Sequence, residues 1–182
     1  MAEIGKVEKL TTEEFIEKFK LRFGETLKES RIETRIEGAK KNKFNVLWLK
    51  IDRKIFREFV KFLTVMAPYP HLAVVSGVDL GETIELIYHF SIYYGEHFKE
   101  LSVNLCVELP KSDLRVDSIC DIVPGALITE REKQEMLGVT IENIPDKRRI
   151  FLPEDFPEGI YPWRKDETGI PDKMIKKLSE AK

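Results

Sequence analysis

Apolar and polar positions alternate along this chain with two different periods, and each change of period marks a new element. Thr11 followed by Glu14 has capping-box spacing, in which side chain and backbone satisfy each other at a helix start. Phe15, Ile16, Phe19 and Phe23 then recur at helical spacing, with Gly24 as the stop. Ile32, Thr34 and Ile36 alternate with Arg31, Glu33, Arg35 and Glu37, the period of a half-buried strand. A turn over Gly38 to Asn42 leads to a second strand, Phe44 to Ile51, most simply the hairpin partner of the first. Asp52 is placed to cap a second helix, whose Ile55, Phe56, Phe59, Phe62, Leu63 and Met66 form one apolar stripe. Pro68 and Pro70 end it.

Strand candidates follow at His71 to Val78, Thr83 to Tyr94 and Leu101 to Leu109, with a tight turn over Asp79 to Glu82 built on Gly81. The last alternates cleanly, Leu101, Val103, Leu105, Val107 and Leu109 against Ser102, Asn104, Cys106 and Glu108. A helical stretch runs from about Asp117 to Leu137, interrupted near Pro124 and Gly125, and Asp172 to Ala181 reads as a short charged helix. Short connections and this order of elements predict an α+β fold, a mostly antiparallel five-stranded sheet with helices on one face. Residues 1–140 are assigned to that domain, and 141–182 to a long extended, proline-rich docking tail with a short terminal helix.

The tail carries the most information. From Ile144 to Asp166 it holds four of the chain's nine prolines, Pro145, Pro153, Pro157 and Pro162, so no helix or central strand runs through it. It is nonetheless rich in large apolar groups: Ile150, Phe151, Leu152, Phe156, Ile160, Tyr161 and Trp163. Such a segment must lay those groups on its own domain or on another protein, and the second reading is preferred. Phe156, Tyr161 and Trp163 are the expected anchors. Arg148, Arg149 and Arg164 are expected to meet carboxylates or backbone carbonyls, and the prolines to narrow the unbound ensemble. Truncation before Ile144 is then expected to leave the first domain folded.

Thirty basic and thirty-two acidic residues give a net charge of −2, which argues against nucleic acid as a partner. The charged fraction of 34% is Lys- and Glu-rich, a bias shared by heat-adapted proteomes and by very soluble surfaces. Cys106 and Cys120 have no CxxC spacing and no nearby histidine, so they read as buried free thiols rather than metal ligands. No signal segment opens the chain and no run approaches the roughly 20 apolar residues that span a bilayer. Any membrane contact is expected to come through partners.

Motifs for independent catalysis are missing: there is no GxGxxG, Walker loop, HExxH or GxSxG. His89 sits in an apolar run between Tyr88 and Phe90, where a hydrogen-bonded structural histidine is expected; His71 ends a loop and His97 lies in a solvated turn. Glu130 and Glu132 are too close on one helix to flank a substrate bond, so Glu130, Arg131 and Glu132 read as a charged helix surface or an anchor for neighbouring backbone. Arg148 and Arg149 read as ion-pairing with nearby Asp or Glu rather than as a phosphate grip.

These residues resemble a known family. PGALITERE at Pro124 to Glu132, Gly138, and PDKRRIFLPEDFPEGIYPWRKD at Pro145 to Asp166 are similar to the thirty-kilodalton subunit family of the peripheral arm of respiratory complex I and of related membrane-bound nickel–iron hydrogenases. That signature is an ERE block, an aspartate, a glycine, an HPD-x-RR-x-L segment and a closing YP-x-R-x-D. The chain departs from it at Ile128 and Thr129, where many members have tryptophan, at Glu135 in place of the aspartate, and at Ile144 in place of the histidine. SGVD at Ser76 to Asp79 and the following IELIYHF add support.

The resemblance implies a subunit without metal or flavin of its own, with no catalytic residue. Its partners would be the large catalytic-type subunit and the small iron–sulfur subunit, which hold the iron–sulfur clusters and, in hydrogenases, nickel–iron. The complex would take electrons from ferredoxin, move H⁺ or Na⁺, and place this chain peripherally on the cytoplasmic face of the membrane. The tail wording is most similar to archaeal ferredoxin-linked hydrogenase and sulfur reductase complexes, and a quinone reductase or a free-standing binding domain stays open. The partner-facing residues it implies are Glu130, Arg131, Glu132, Asp146, Arg148, Arg149, Phe151, Phe156, Tyr161, Trp163, Arg164 and Asp166.

Overall fold

Thr11 caps the first helix as its spacing predicts, its hydroxyl accepting the Glu14 amide at 3.2 Å while the Glu14 carboxylate accepts the Thr11 amide at 2.8 Å. The computed structural model describes residues 9–67, 69–94 and 100–176. Pro68, the His97 turn and most of the expected terminal helix lie outside the described residues; of that helix, a 3₁₀ turn at Asp172–Met174 is described.

In chain order the elements are α1 (Thr12–Phe23), β1 (Leu27–Glu37), β2 (Asn42–Ile51), α2 (Phe56–Met66), β3 (His71–Asp79), β4 (Thr83–Ile92), β5 (Leu101–Pro110), β6 (Arg115–Asp117), α3 (Ala126–Leu137) and β7 (Thr140–Glu142). The fold is α+β, with a mostly antiparallel five-stranded sheet in the order β1-β2-β5-β4-β3. One pair departs from that: β2 and β5 run parallel, Val46 to Ile51 against Ser102 to Val107. A parallel pair needs a long crossover, and α2, β3 and β4 supply it.

The chain divides into two compact units, Met1–Val75 with Ile87–Glu108 and Ser76–Leu86 with Leu109–Lys182. In the first, α1 and α2 meet through aromatic rings, Phe19 and Phe59 having centroids 4.2 Å apart and Phe19 and Phe62 5.0 Å. Asp52 accepts the Lys54 amide at 2.9 Å and so caps a 3₁₀ turn, Arg53–Ile55, that leads into α2. The β1–β2 hairpin pairs Arg35 with Phe44 and Ile32 with Leu47. The half-buried pattern expected of β1 fades along it, since Ile36 is 61% exposed. In β5 the polar positions Asn104 and Cys106 are buried as well as the apolar ones, so both faces are covered mid-strand. Asn104 is satisfied there by His89, whose Nδ1 lies 2.8 Å from its Oδ1; this is the structural histidine that its surroundings imply. His71 is exposed at the start of β3.

The second unit corrects the expected helix from Asp117. Residues 115–117 are strand β6, paired in parallel with β7, and helix begins only at Ala126. Both strands are three residues long, too short for a periodic signal. Gly138, with φ 67°, ends α3 in the left-handed conformation, and the Gly138 amide returns to the Gln134 carbonyl at 3.1 Å.

Candidate functional site

Helix α3 is unusual in burying its charges: Glu130 is 0% exposed, Arg131 9%, Lys133 2% and Glu135 8%. Buried ions persist only when paired and hydrogen-bonded. Each of these has a partner within the second unit, and those partners order the loops on either side.

Glu130 faces the segment before the helix. Its carboxylate accepts the Ser118 hydroxyl at 2.6 Å, the Ile119 amide at 3.1 Å and the Cys120 thiol at 3.2 Å. Burial, together with the Glu130 charge, pushes the Cys120 thiol up to about 11. Cys106 and Cys120 are both buried, and neither is in a disulfide.

Arg131 and Glu135, one turn apart on the helix, grip the segment after it. Arg131 donates to the Arg148 carbonyl at 2.8 and 2.6 Å and to the Arg149 carbonyl at 3.2 Å, and pairs with Asp146 at 3.1 Å. Glu135 accepts the amides of Ile150, Phe151 and Leu152, the last two at 3.0 and 2.9 Å. Asp146 is shared: Arg148 forks onto it and, with its own amide and the Arg131 charge, holds its carboxyl well below the usual carboxylate range. Arg149 donates to the carbonyls of Pro153 and Phe156 at 3.1 and 2.8 Å. The expected ion-pair role thus holds for Arg148, and Arg149 meets carbonyls.

The closing YPWRKD segment caps the other end of α3. Met136 O accepts the Trp163 amide at 2.9 Å and Leu137 O accepts Arg164 Nε at 2.6 Å, satisfying carbonyls that a helix C-terminus leaves open. The Tyr161 ring lies over Gly138, so close that a Cβ there would fall 2.6 Å from it. Lys133 pairs with Glu132 and lies 4.7 Å above the Trp163 ring; burial lowers the Lys133 pKa against the pull of Glu132. Beyond, Lys111 bridges Asp79 at 3.0 Å and Asp166, while Asp79 also accepts the amides of Gly81 and Lys165 at 2.9 Å each.

The structure therefore brings together Glu130, Arg131, Glu132, Asp146, Arg148 and Arg149 around α3, and Tyr161, Trp163, Arg164 and Asp166 at its end. The Phe151 amide is held by Glu135 while the residue is 54% exposed, as Trp163 is 42% exposed, whereas Phe156 and Tyr161 are half-buried. The polar anchors of the tail lie within its own unit, where they partner the buried charges of α3.

Sequence reasoning missed Gly77, Asp79, Lys111, Lys133 and Glu135 as parts of this site. Gly77 lets β3 approach α3: a Cβ there would lie 2.3 Å from Leu137 Cδ1. Glu135 had a local signal in its spacing from Arg131, since positions four apart share a helix face. Lys111, which meets a residue 55 positions away, had none. Among the described residues no group of three or more His, Cys, Asp or Glu could hold a metal ion, and no helix is long and apolar enough to cross a membrane.

The model of the respiratory-chain NADH dehydrogenase 30 Kd subunit family matches residues 49–172. The chain belongs to that family. The match takes in all of α3 and the segment that wraps it, and leaves α1 and β1 outside. Among members, the beta subunit of the membrane-bound hydrogenase of Pyrococcus furiosus is 39% identical over 130 residues, 71% of this chain and 75% of that one. A subunit of the F(420)H(2) dehydrogenase of Methanosarcina mazei is 30% identical over 130 residues, 70% of this chain and 79% of that one. In fold, a chain from the structure of the membrane-bound sulfane sulfur reductase, an archaeal respiratory membrane complex, superposes with a TM-score of 0.64 at 19% identity, covering 93% of this chain and 88% of the other.

Proposed function

We propose that this chain is a non-catalytic structural subunit of the peripheral arm of a complex I-like, ion-translocating redox complex of the membrane-bound hydrogenase or sulfur reductase kind. It braces a large catalytic-type subunit and a small iron–sulfur subunit, which carry the iron–sulfur clusters and, in a hydrogenase, the nickel–iron centre. It attaches to the cytoplasmic face of the membrane through those partners, and ferredoxin is the electron source. The observation that carries this reading is the 39% identity over 71% of the chain with a hydrogenase subunit. The arrangement around α3 supports it. Loops wrapped on a helix by buried charges leave Ile128, Phe151 and Trp163 at 50, 54 and 42% exposure, large apolar groups available to a partner.

Gentle detergent extraction followed by size separation tests the reading. Co-migration with a large subunit and an iron–sulfur subunit is expected, and elution alone near 21.2 kDa would overturn it. The terminal acceptor is read from the large partner: two CxxC pairs there imply a nickel–iron centre and hydrogen chemistry, and their loss implies sulfur or quinone.

A further inference from the structure

We infer that the open edge of β3, from His71 to Val75, takes up an extended, uncharged segment of a neighbouring subunit as an added strand; this rests on the subunit reading above. The strand order puts β1 and β3 at the two edges of the sheet, each with one strand neighbour among the described residues. An edge strand turns half of its backbone donors and acceptors outward, and charged side chains along it guard against pairing with another chain. β1 carries that guard in Lys28, Glu29, Arg31, Glu33 and Arg35. β3 does not: from His71 to Val78 it reads HLAVVSGV, without Asp, Glu, Lys or Arg.

Large apolar groups flank this stretch. Tyr69, Val74 and Tyr94 are 75, 39 and 51% exposed, and Tyr94 lies edge-on to His71 with ring centroids 6.0 Å apart. His71 and Ala73 are exposed as well. The far end of the strand is closed, since the Asp79 carbonyl accepts Lys165 Nζ at 2.9 Å. Outward backbone groups are matched by another extended chain, whereas a helix has its own donors and acceptors bonded internally. A charged side chain laid against Val74 would lose water without gaining a partner, so the segment is uncharged where it meets that residue. Five residues of strand are only about 17 Å long, far less contact than the roughly 1,200–2,000 Å² that a specific interface buries. The edge alone therefore cannot hold a second copy of this chain. A neighbour already fixed in the complex by other contacts can lay a strand there, because its effective concentration is high.

The test compares amide hydrogen exchange at residues 71–75 in the detergent-solubilised native complex and in the isolated full chain. The outward amides are expected to exchange about tenfold or more slowly in the complex, those bonded to β4 being slow in both. Equal exchange in the two overturns the inference alone. Slowing in the isolated chain that grows with its concentration would mean a second copy, and also overturns it. Val74→Lys, which gives β3 the guard that β1 has, is expected to abolish the slowing and to lower recovery of the subunit with its partners by about twofold or more. Val74→Thr, and Ile36→Lys on the other edge, are expected to leave both unaltered. Slowing and recovery retained in Val74→Lys would overturn the inference; if that variant fails to melt like the parent, the exchange comparison on the unmodified chain decides. Absence of the unmodified subunit from the complex would overturn the subunit reading as well.

Discussion

The Glu135 carboxylate accepts the Leu152 amide at 2.9 Å, and so one helix residue fixes a loop 17 positions away. The same carboxylate takes the amides of Ile150 and Phe151. Three donors on one buried anion give the loop a single conformation without regular secondary structure.

Removing that carboxylate is expected to free the loop. Glu135→Ala should cost about 2–4 kcal/mol, since hydrogen bonds to a charged group contribute roughly 1.5–3 kcal/mol each and water replaces part of the loss. Urea titration measures the cost, and hydrogen exchange at residues 150–152 should rise by orders of magnitude over the parent. Protection retained in the variant would show that side-chain packing holds the loop.

Glycine substitutions should rank by what their Cβ meets. At Gly169 it would lie 2.5 Å from the Arg164 carbonyl oxygen, which is backbone and cannot move alone; at Gly77 it meets the tip of Leu137 at 2.3 Å. Gly77→Ala is expected to cost about 1–3 kcal/mol by overpacking and Gly169→Ala more. Gly138→Ala combines a Tyr161 clash with a left-handed φ, and should also displace the ring. Melting temperatures rank the three, and Tyr161 exposure is read by near-ultraviolet circular dichroism.

The Asp79–Lys111–Asp166 cluster should confine stability between an acid and an alkaline edge. Lys111, with Thr168, lowers the Asp166 pKa; burial opposes the charge on Asp79 but the Lys165 and Gly81 amides and Lys111 outweigh it. A depressed carboxyl contributes stability above its ordinary value of 3.8, lost as pH falls below it. Lys111 is raised, chiefly by Asp166, so its contribution is full below 10.5 and lost as pH rises beyond. Melting temperature against pH should flatten at both edges in Lys111→Met; an unaltered profile would show that the cluster sets neither edge.

Cys120 should be inert while the protein is folded. Its thiol, pushed up to about 11, is almost wholly protonated at pH 8, and it is buried beside a carboxylate. Iodoacetamide at pH 8 followed by mass spectrometry should show labelling of Cys120 only after denaturation.

The sequence by itself determined the elements whose causes are local. The Thr11–Glu14 cap, the hairpin through Gly38 to Asn42, the Asp79–Glu82 turn and the two phenylalanine-bearing helices each follow from residues within a few positions of one another. The tail's wording was also enough to indicate the family. Only the tertiary structure decided what the charges of α3 do. The partners of Arg131, Glu135 and Asp79 stand 15 to 18, 15 to 17 and up to 86 positions away, beyond any periodic signal. The parallel β2–β5 pair was hidden for the same reason, since alternation marks a strand and says nothing of its neighbour. A charged helix and a proline-rich apolar segment look separately solvent-facing and partner-facing; folded together, each supplies the hydrogen bonds that the other's burial requires.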